Sequence, residues 1–168
     1  MTETLTPIID RALQQRTAAL LERACKADLS LATAESCTGG LLASLLTDVD
    51  GASHAFDRGF VTYTEAAKIA VLGVPATMLD QHGAVSEPVA RAMAEGALAR
   101  SDAAMAVAVT GFAGPGADGD EAGLVHFAVA RRDGETSHRE EHFGDIGRGP
   151  TRKCCLQTAV EMLEDAIA

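Results

Sequence analysis

Two short stretches of this chain place chemically useful residues together. The first is Leu31-Ala-Thr-Ala-Glu-Ser-Cys-Thr-Gly-Gly-Leu-Leu-Ala-Ser-Leu-Leu46. A short apolar run breaks at a small polar turn and resumes with Leu41, Leu42, Leu45 and Leu46 at the spacing of one helix face. A strand–turn–helix unit of this kind aims backbone N–H groups, at the positive end of a helix dipole, into the space above a sheet edge. Here it would also hold the Ser36 hydroxyl there. The second stretch is Tyr63-Thr-Glu-Ala-Ala-Lys68. The chain has three lysines (Lys26, Lys68 and Lys153) and a single tyrosine, so this stretch concentrates two scarce residue types. A serine attacks poorly until something takes its proton, and a lysine with a lowered pKa can do so. Burial and a nearby helix N-terminus both lower it. The same residues also fit an ordinary strand–helix turn capped by Thr38 or Ser36, with Lys68 solvated and Tyr63 in the core. Spacing alone leaves both readings standing.

These residues need elements to position them. An amphipathic helix is predicted from Pro7 to Lys26, then a buried strand from Leu29 to Ala34 and the helix after the turn, ending near Asp48. Arg58 to Tyr63 reads as a strand, and Thr64 caps a helix from Glu65 to Leu72 that stops at Gly73. Gln81-His82-Gly83 reads as a turn. Ser86-Glu-Pro opens a helix running to about Arg100, with Pro88 in the first turn. Ala103 to Thr110 is almost wholly apolar, as a strand covered on both faces would be. Gly111 to Ala122 is a polar, glycine-rich loop. Gly123 to Ala130 and Thr136 to Phe143 are strands joined around Asp133-Gly134, and are therefore antiparallel. A last helix runs from Thr151 to about Ile167. This order predicts an α/β chain, a three-layer α/β/α sandwich with a mixed, partly antiparallel sheet, forming a single domain over residues 1–168.

Composition narrows the function. The chain has 168 residues, with 47% hydrophobic and 23% charged residues, which suits a globular domain with its own core. A net charge of −10 opposes unspecific binding to nucleic acid or to an anionic membrane surface. No apolar run reaches the roughly 18 residues of a membrane span, and the N-terminus lacks a signal pattern. Cys25, Cys37, Cys154 and Cys155 include no C-x-x-C, and a vicinal pair is not a disulfide framework. A reduced, cytoplasmic protein is expected. Cys154 and Cys155 read as buried thiols. His138-Arg-Glu-Glu-His142 has the spacing of an inverted zinc motif. That motif needs a helix, and in a strand its ends stand about 13 Å apart. Gly111-Phe-Ala-Gly-Pro-Gly fits no dinucleotide fingerprint, and no P-loop is present.

Four motifs carry a resemblance to a known family. Ala34-Glu-Ser-Cys-Thr-Gly-Gly40, Gly59-Phe-Val-Thr-Tyr-Thr-Glu-Ala-Ala-Lys68, His82-Gly-Ala-Val-Ser-Glu87 and Thr110-Gly-Phe-Ala-Gly-Pro115 occur in order over nearly the whole chain. Together they resemble the CinA C-terminal domain family, the nicotinamide mononucleotide amidases often called PncC. Some members carry an extra N-terminal domain for which this chain is too short. The resemblance implies hydrolysis of the carboxamide of nicotinamide mononucleotide to nicotinate mononucleotide and ammonia. It also implies a serine mechanism without metal or cofactor, an α/β fold and a homodimer; the charge already argues against a nucleic-acid or membrane partner.

By motif, Ser36 is expected to be the nucleophile, Lys68 its base and Tyr63 a proton relay to the leaving ammonia. Backbone groups of Thr38, Gly39 and Gly40 would serve the oxyanion and substrate. Thr110, Gly111, Ala113 and Gly114 would face the nucleotide. Arg152, and with it Arg148, would take the phosphate. The chain departs from the family pattern at Asp120-Glu-Ala-Gly-Leu-Val125, where a Lys-Pro-Val-Gly-Thr-Val segment is usual. Acid replaces a cation there. Two alternatives therefore accompany the amidase: a non-catalytic nucleotide-binding or interaction module, and an amidase for a related pyridine or nucleotide amide.

Overall fold

The computed structural model describes residues 9–168. Eleven elements follow one another: α1 (Arg11–Lys26), β1 (Leu31–Glu35), α2 (Leu41–Thr47), β2 (Phe56–Val61), α3 (Glu65–Leu72), α4 (Ala76–His82), α5 (Glu87–Ala99), β3 (Met105–Gly111), β4 (Leu124–Arg131), β5 (Ser137–His142) and α6 (Arg148–Ile167). The five strands form one sheet in the order β2-β1-β3-β4-β5. β1 pairs in parallel with β2 and β3, whereas β3–β4 and β4–β5 are antiparallel. Helices cover both faces, so the architecture is a three-layer α/β/α sandwich with a mixed sheet.

Alternation along the strands divides the core in two. Leu31, Met105, Val107, Val109, Val125, Phe127 and Val129 face α1, α2 and α6, where they meet Leu20, Leu21, Leu42, Leu45, Leu156 and Leu163. The opposite face is built from small residues. Ala32, Ala34, Ala106, Ala108, Ala128 and Ala130 pack against Leu72, Val89, Met93 and Ala97. With alanine on the strands, α5 lies close to the sheet, and Gly96 lets α3 approach as well. A side chain at Gly96 would begin 2.1 Å from the Leu72 carbonyl oxygen.

Several element ends differ from the sequence expectation. Asp10 caps α1 through the Leu13 N–H, so the helix opens at Arg11 rather than Pro7; residues 7 and 8 lie outside those described. β2 begins at Phe56 and stops at Val61, leaving Tyr63 beyond its end. α4 was not anticipated. Pro75 starts this helix, and the 81–83 stretch read as a turn is its last turn and its Gly83 cap. The final helix opens at Arg148, not Thr151, because Gly147 turns the chain and Pro150 sits in the first turn, where its missing N–H does no harm. Thr64 does cap α3, accepting from the Ala67 N–H, and Gly73 ends it at φ 71.

Candidate active site

The parallel strands β1, β2 and β3 all end on one edge of the sheet, and the chain leaves each with a residue that matters. β1 is followed by Ser36, β2 by Thr62 and Tyr63, and β3 by Phe112 after Gly111. In sheets of this kind the crevice beyond the carboxyl ends of the strands is where ligands bind. Pairing carries on past the strands. The Ser36 N–H reaches the Val109 carbonyl at 3.0 Å, and the Thr62 N–H reaches the Glu35 carbonyl at 2.8 Å. Ser36 therefore follows Ala32 and Ala34 onto the α5 face.

Glu35 makes the turn rigid. Its side chain points to the opposite face and is fully buried. One carboxylate oxygen accepts from the Gly40 and Leu42 N–H groups, each at 3.0 Å, and the other from the Ala43 N–H at 2.8 Å and the Thr33 hydroxyl at 3.3 Å. This corrects the expected cap. Neither Ser36 nor Thr38 caps α2. Gly40 holds the N-cap position at φ 96 without a side-chain bond, and the carboxylate five residues back satisfies the free N–H groups. A carboxylate also complements the positive end of the helix. The Ser36 hydroxyl is thereby left free for another partner.

That partner is Lys68. Its Nζ lies 2.9 Å from Ser36 Oγ and 2.8 Å from the Thr62 carbonyl oxygen. Lys68 is 1% exposed, on the first turns of α3, and no carboxylate pairs with it among the described residues. Burial pulls its pKa below the ordinary lysine range. A neutral amine donates one N–H to the Thr62 carbonyl and offers its lone pair to the serine proton.

A cavity of about 370 Å³ opens above this pair. Ser36, Cys37, Tyr63 and Lys68 form one side, Ala84 and Val85 another, and the segment from Thr110 to Gly116, with Arg148, the third. The Thr110 hydroxyl donates to the Ala84 carbonyl at 2.8 Å, tying two of these walls together. Tyr63 is 65% exposed at the rim rather than in the core. Of the residues anticipated for this site, Ser36, Tyr63, Lys68, Thr110, Gly111, Ala113, Gly114 and Arg148 are brought together. Thr38, Gly39, Gly40 and Arg152 do not line the cavity. The Gly39 N–H is given to the Ser36 carbonyl and the Gly40 N–H to Glu35. Arg152, one turn into α6, donates from Nε to the Cys37 carbonyl at 2.9 Å.

Cys37 turns its thiol into the core. A hydrogen bond with Cys155 lowers its pKa, while the same contact and burial raise that of Cys155. Asp120 folds onto its own loop, accepting from the Ala117 N–H at 2.9 Å against Gly116. No group of three or more His, Cys, Asp or Glu among the described residues is arranged to hold a metal ion.

Sequence reasoning quoted Glu35 but assigned it no role. An acid between an apolar run and a turn–helix signal is the clue to such a cap. The Thr62 carbonyl and the Ala84–Val85 wall left no comparable signal.

A family model for the CinA C-terminal domain matches residues 13–167. The chain belongs to this family. A CinA-like protein from Akkermansia muciniphila is 53% identical over 141 residues, covering 83% of this chain and 34% of that protein. A putative competence-damage inducible protein from Symbiobacterium thermophilum is 53% identical over 132 residues, 77% of this chain and 28% of that protein. The chain thus spans about a third of the length of these CinA relatives. Among solved structures, the competence/damage inducible protein CihA from Agrobacterium tumefaciens superposes with a TM-score of 0.90 at 44% identity, over 99% of both chains. A CinA superfamily protein from Escherichia coli gives 0.86 at 36% identity, again over 99% of both. No helix among the described residues is long and apolar enough to cross a membrane.

Proposed function

We propose that the protein is an amidohydrolase that converts nicotinamide mononucleotide to nicotinate mononucleotide and ammonia. The observation that carries the reading is the 2.9 Å contact between the buried Lys68 amine and the Ser36 hydroxyl, at the floor of a cavity. Ser36 Oγ adds to the carboxamide carbon while its proton passes to Lys68, and the carbonyl electron pair moves onto oxygen. Collapse of this intermediate breaks the C–N bond. Nitrogen leaves as ammonia after taking the proton back, with Tyr63 at the rim as the relay. Water then repeats the sequence on the acyl-serine, releasing the carboxylate and restoring Ser36.

Substrate choice rests on the rest of the cavity. Arg148, the first residue of α6, is the cation in the wall, and its donor fork suits a phosphate. Thr110, Gly111, Ala113 and Gly114 face the nucleotide. Asp120, beside Gly116, favours as a second reading an amide substrate with less negative charge. A purely binding module would have little use for a buried lysine aimed at a serine. The protein acts as a homodimer in this reading. Val61, Tyr63, Ile69 and Val71 are exposed apolar or aromatic residues on and between the edge strand β2 and α3, and light scattering measures the assembly. The deciding experiment is ammonia release by the purified protein from nicotinamide mononucleotide, with nicotinamide and nicotinamide riboside as controls. Release from the nucleotide supports the proposal; none from any of the three ends it.

A further inference from the structure

The Ser36 turn is gripped from two sides. Glu35 holds Gly40, Leu42 and Ala43, and from α6 Arg152 holds the Cys37 carbonyl. Arg152 forms no ion pair with a carboxylate among the described residues, so its charge acts on that carbonyl undiminished by a close anion. Its guanidinium also passes 4.0 Å from where a side chain on Gly39 would begin.

The direction of this bond has a consequence for the peptide beyond it. The Cys37 carbonyl is turned toward Arg152 on α6. In a planar trans peptide the carbonyl and the following N–H point in opposite directions. The Thr38 N–H therefore leaves the turn on the side away from Arg152. Ser36 and Cys37, the two residues just before this peptide's N–H, both line the cavity. Within the turn, the Ser36, Gly39 and Gly40 N–H groups already have oxygen acceptors. The Cys37 and Thr38 N–H groups have none among the described residues. A cationic donor on a carbonyl draws electron density along the peptide and strengthens the N–H at its far end.

We infer that Arg152 is a positioning residue for acyl transfer at Ser36: by holding the Cys37 carbonyl it aims and polarises the Thr38 N–H, which receives the oxyanion formed when Ser36 Oγ adds to a carboxamide. The inference rests on the amidase reading and moves Arg152 from the phosphate to the reacting carbonyl. Arg148 is the cation left for the phosphate.

The test compares Arg152→Met, Arg152→Lys and Arg148→Ala in the full chain, with nicotinamide mononucleotide and its riboside as substrates. Arg152→Met should lower kcat about tenfold to a hundredfold on both substrates and leave KM within about twofold, because the lost interaction matters only in the transition state. Arg152→Lys should recover part of the rate. Arg148→Ala should raise KM for the nucleotide and spare the riboside. In amide NMR spectra, Arg152→Met should shift the Thr38 proton upfield and leave Gly40 in place. A KM increase confined to the nucleotide in Arg152→Met, an unchanged kcat, or an unmoved Thr38 amide overturns the inference. If Arg152→Met does not fold, the kcat and Thr38 shift of Arg152→Lys decide, and wild-type values in both overturn it. Should the wild type release no ammonia from any substrate, the amidase reading fails by itself. The Thr38 shift and the rate of Ser36 labelling by a fluorophosphonate, which also places charge on oxygen, then judge Arg152: wild-type values in Arg152→Met overturn the inference.

Discussion

Lys68 Nζ and Ser36 Oγ stand 2.9 Å apart although 32 residues separate them in sequence. The contact exists because β1 and β2 are neighbours in the sheet and end at the same level. Glu35 pairs in register with Val61, so Ser36 and Thr62 emerge side by side, and α3 then returns Lys68 over both.

In the proposed reaction Ser36, not Cys37, is the nucleophile. Thiolates attack readily at neutral pH, so Cys37 is the natural rival. Cys37, however, is 4% exposed, and its thiol is buried against Cys155. Ser36→Ala should abolish ammonia release, and Cys37→Ala should keep most of it. The opposite pattern would assign the chemistry to the thiol.

Lys68 must be neutral to act as base. Its pKa is lowered by burial, so activity should rise with pH through that lowered value and level off below the ordinary lysine range, near pH 10.4. Lys68→Arg cannot supply a base. It should lose about 10² or more in kcat, while circular dichroism remains that of the wild type.

The same burial makes Lys68 a cost to the fold. Below its folded pKa the wild type buries an ammonium. Between that value and the unfolded value the unfolded chain binds the extra proton, so stability rises with pH; above both, the penalty is gone. Lys68→Met should therefore melt at or above the wild-type temperature at neutral pH, with the gap closing as pH rises. A gap that widens on alkalinisation would contradict the burial argument.

Glu35 is predicted to matter as much for stability as for catalysis. Glu35→Ala strands the Gly40, Leu42 and Ala43 N–H groups and should cost about 1–3 kcal/mol or more. Amide exchange should accelerate at those residues, and kcat should fall with them. Unchanged exchange at Gly40, Leu42 and Ala43 would show that the carboxylate does not hold the turn.

A pair of histidines gives the acid limb of stability. His126 Nδ1 and His138 Nε2 lie 3.0 Å apart behind the Thr110 wall, with Glu140 beside one ring and Glu87 beside the other. Burial lowers both pKa values. Their contribution is complete above the unfolded histidine value of about 6.5 and is lost as pH falls through their folded values. The His126→Phe, His138→Phe double variant should flatten the dependence of melting temperature on pH below about 6.5; an unaltered slope would place the acid sensitivity elsewhere.

What could be read from sequence and what could not separate along physical lines. The continuous apolar run of β3 and the Asp133-Gly134 hairpin marked the sheet, because a buried strand and a tight turn each need particular residue types. Lys68 and Tyr63 stand out through the scarcity of their residue types, and Ser36 through its strand–turn–helix setting and its motif. α4 was missed, since Met78 and Leu79 are too few to show a helical period. The cap of α2 was misplaced because side chains usually cap from the N-cap position, and Glu35 instead reaches forward from a buried strand. Arg152 was given to the phosphate beside an expected helix start at Thr151, and in the fold that start is at Arg148. Which acceptor a long side chain finds depends on tertiary approach, and no local pattern encodes it.

The cavity joins two pieces of unequal freedom. Ser36, Lys68, Glu35 and Thr62 are interlocked through β1, β2 and α3, so a change in one disturbs the others. The opposite wall, Phe112 to Gly116, belongs to a connection between two antiparallel neighbours, β3 and β4. Such a connection can lengthen, shorten or exchange charge without altering strand order. Asp120 lies in this connection. If the proposed amidase reading holds, new amide specificities can be sought by randomising residues 115–121 alone, which rewrites one wall of the cavity and leaves the interlocked one as it is.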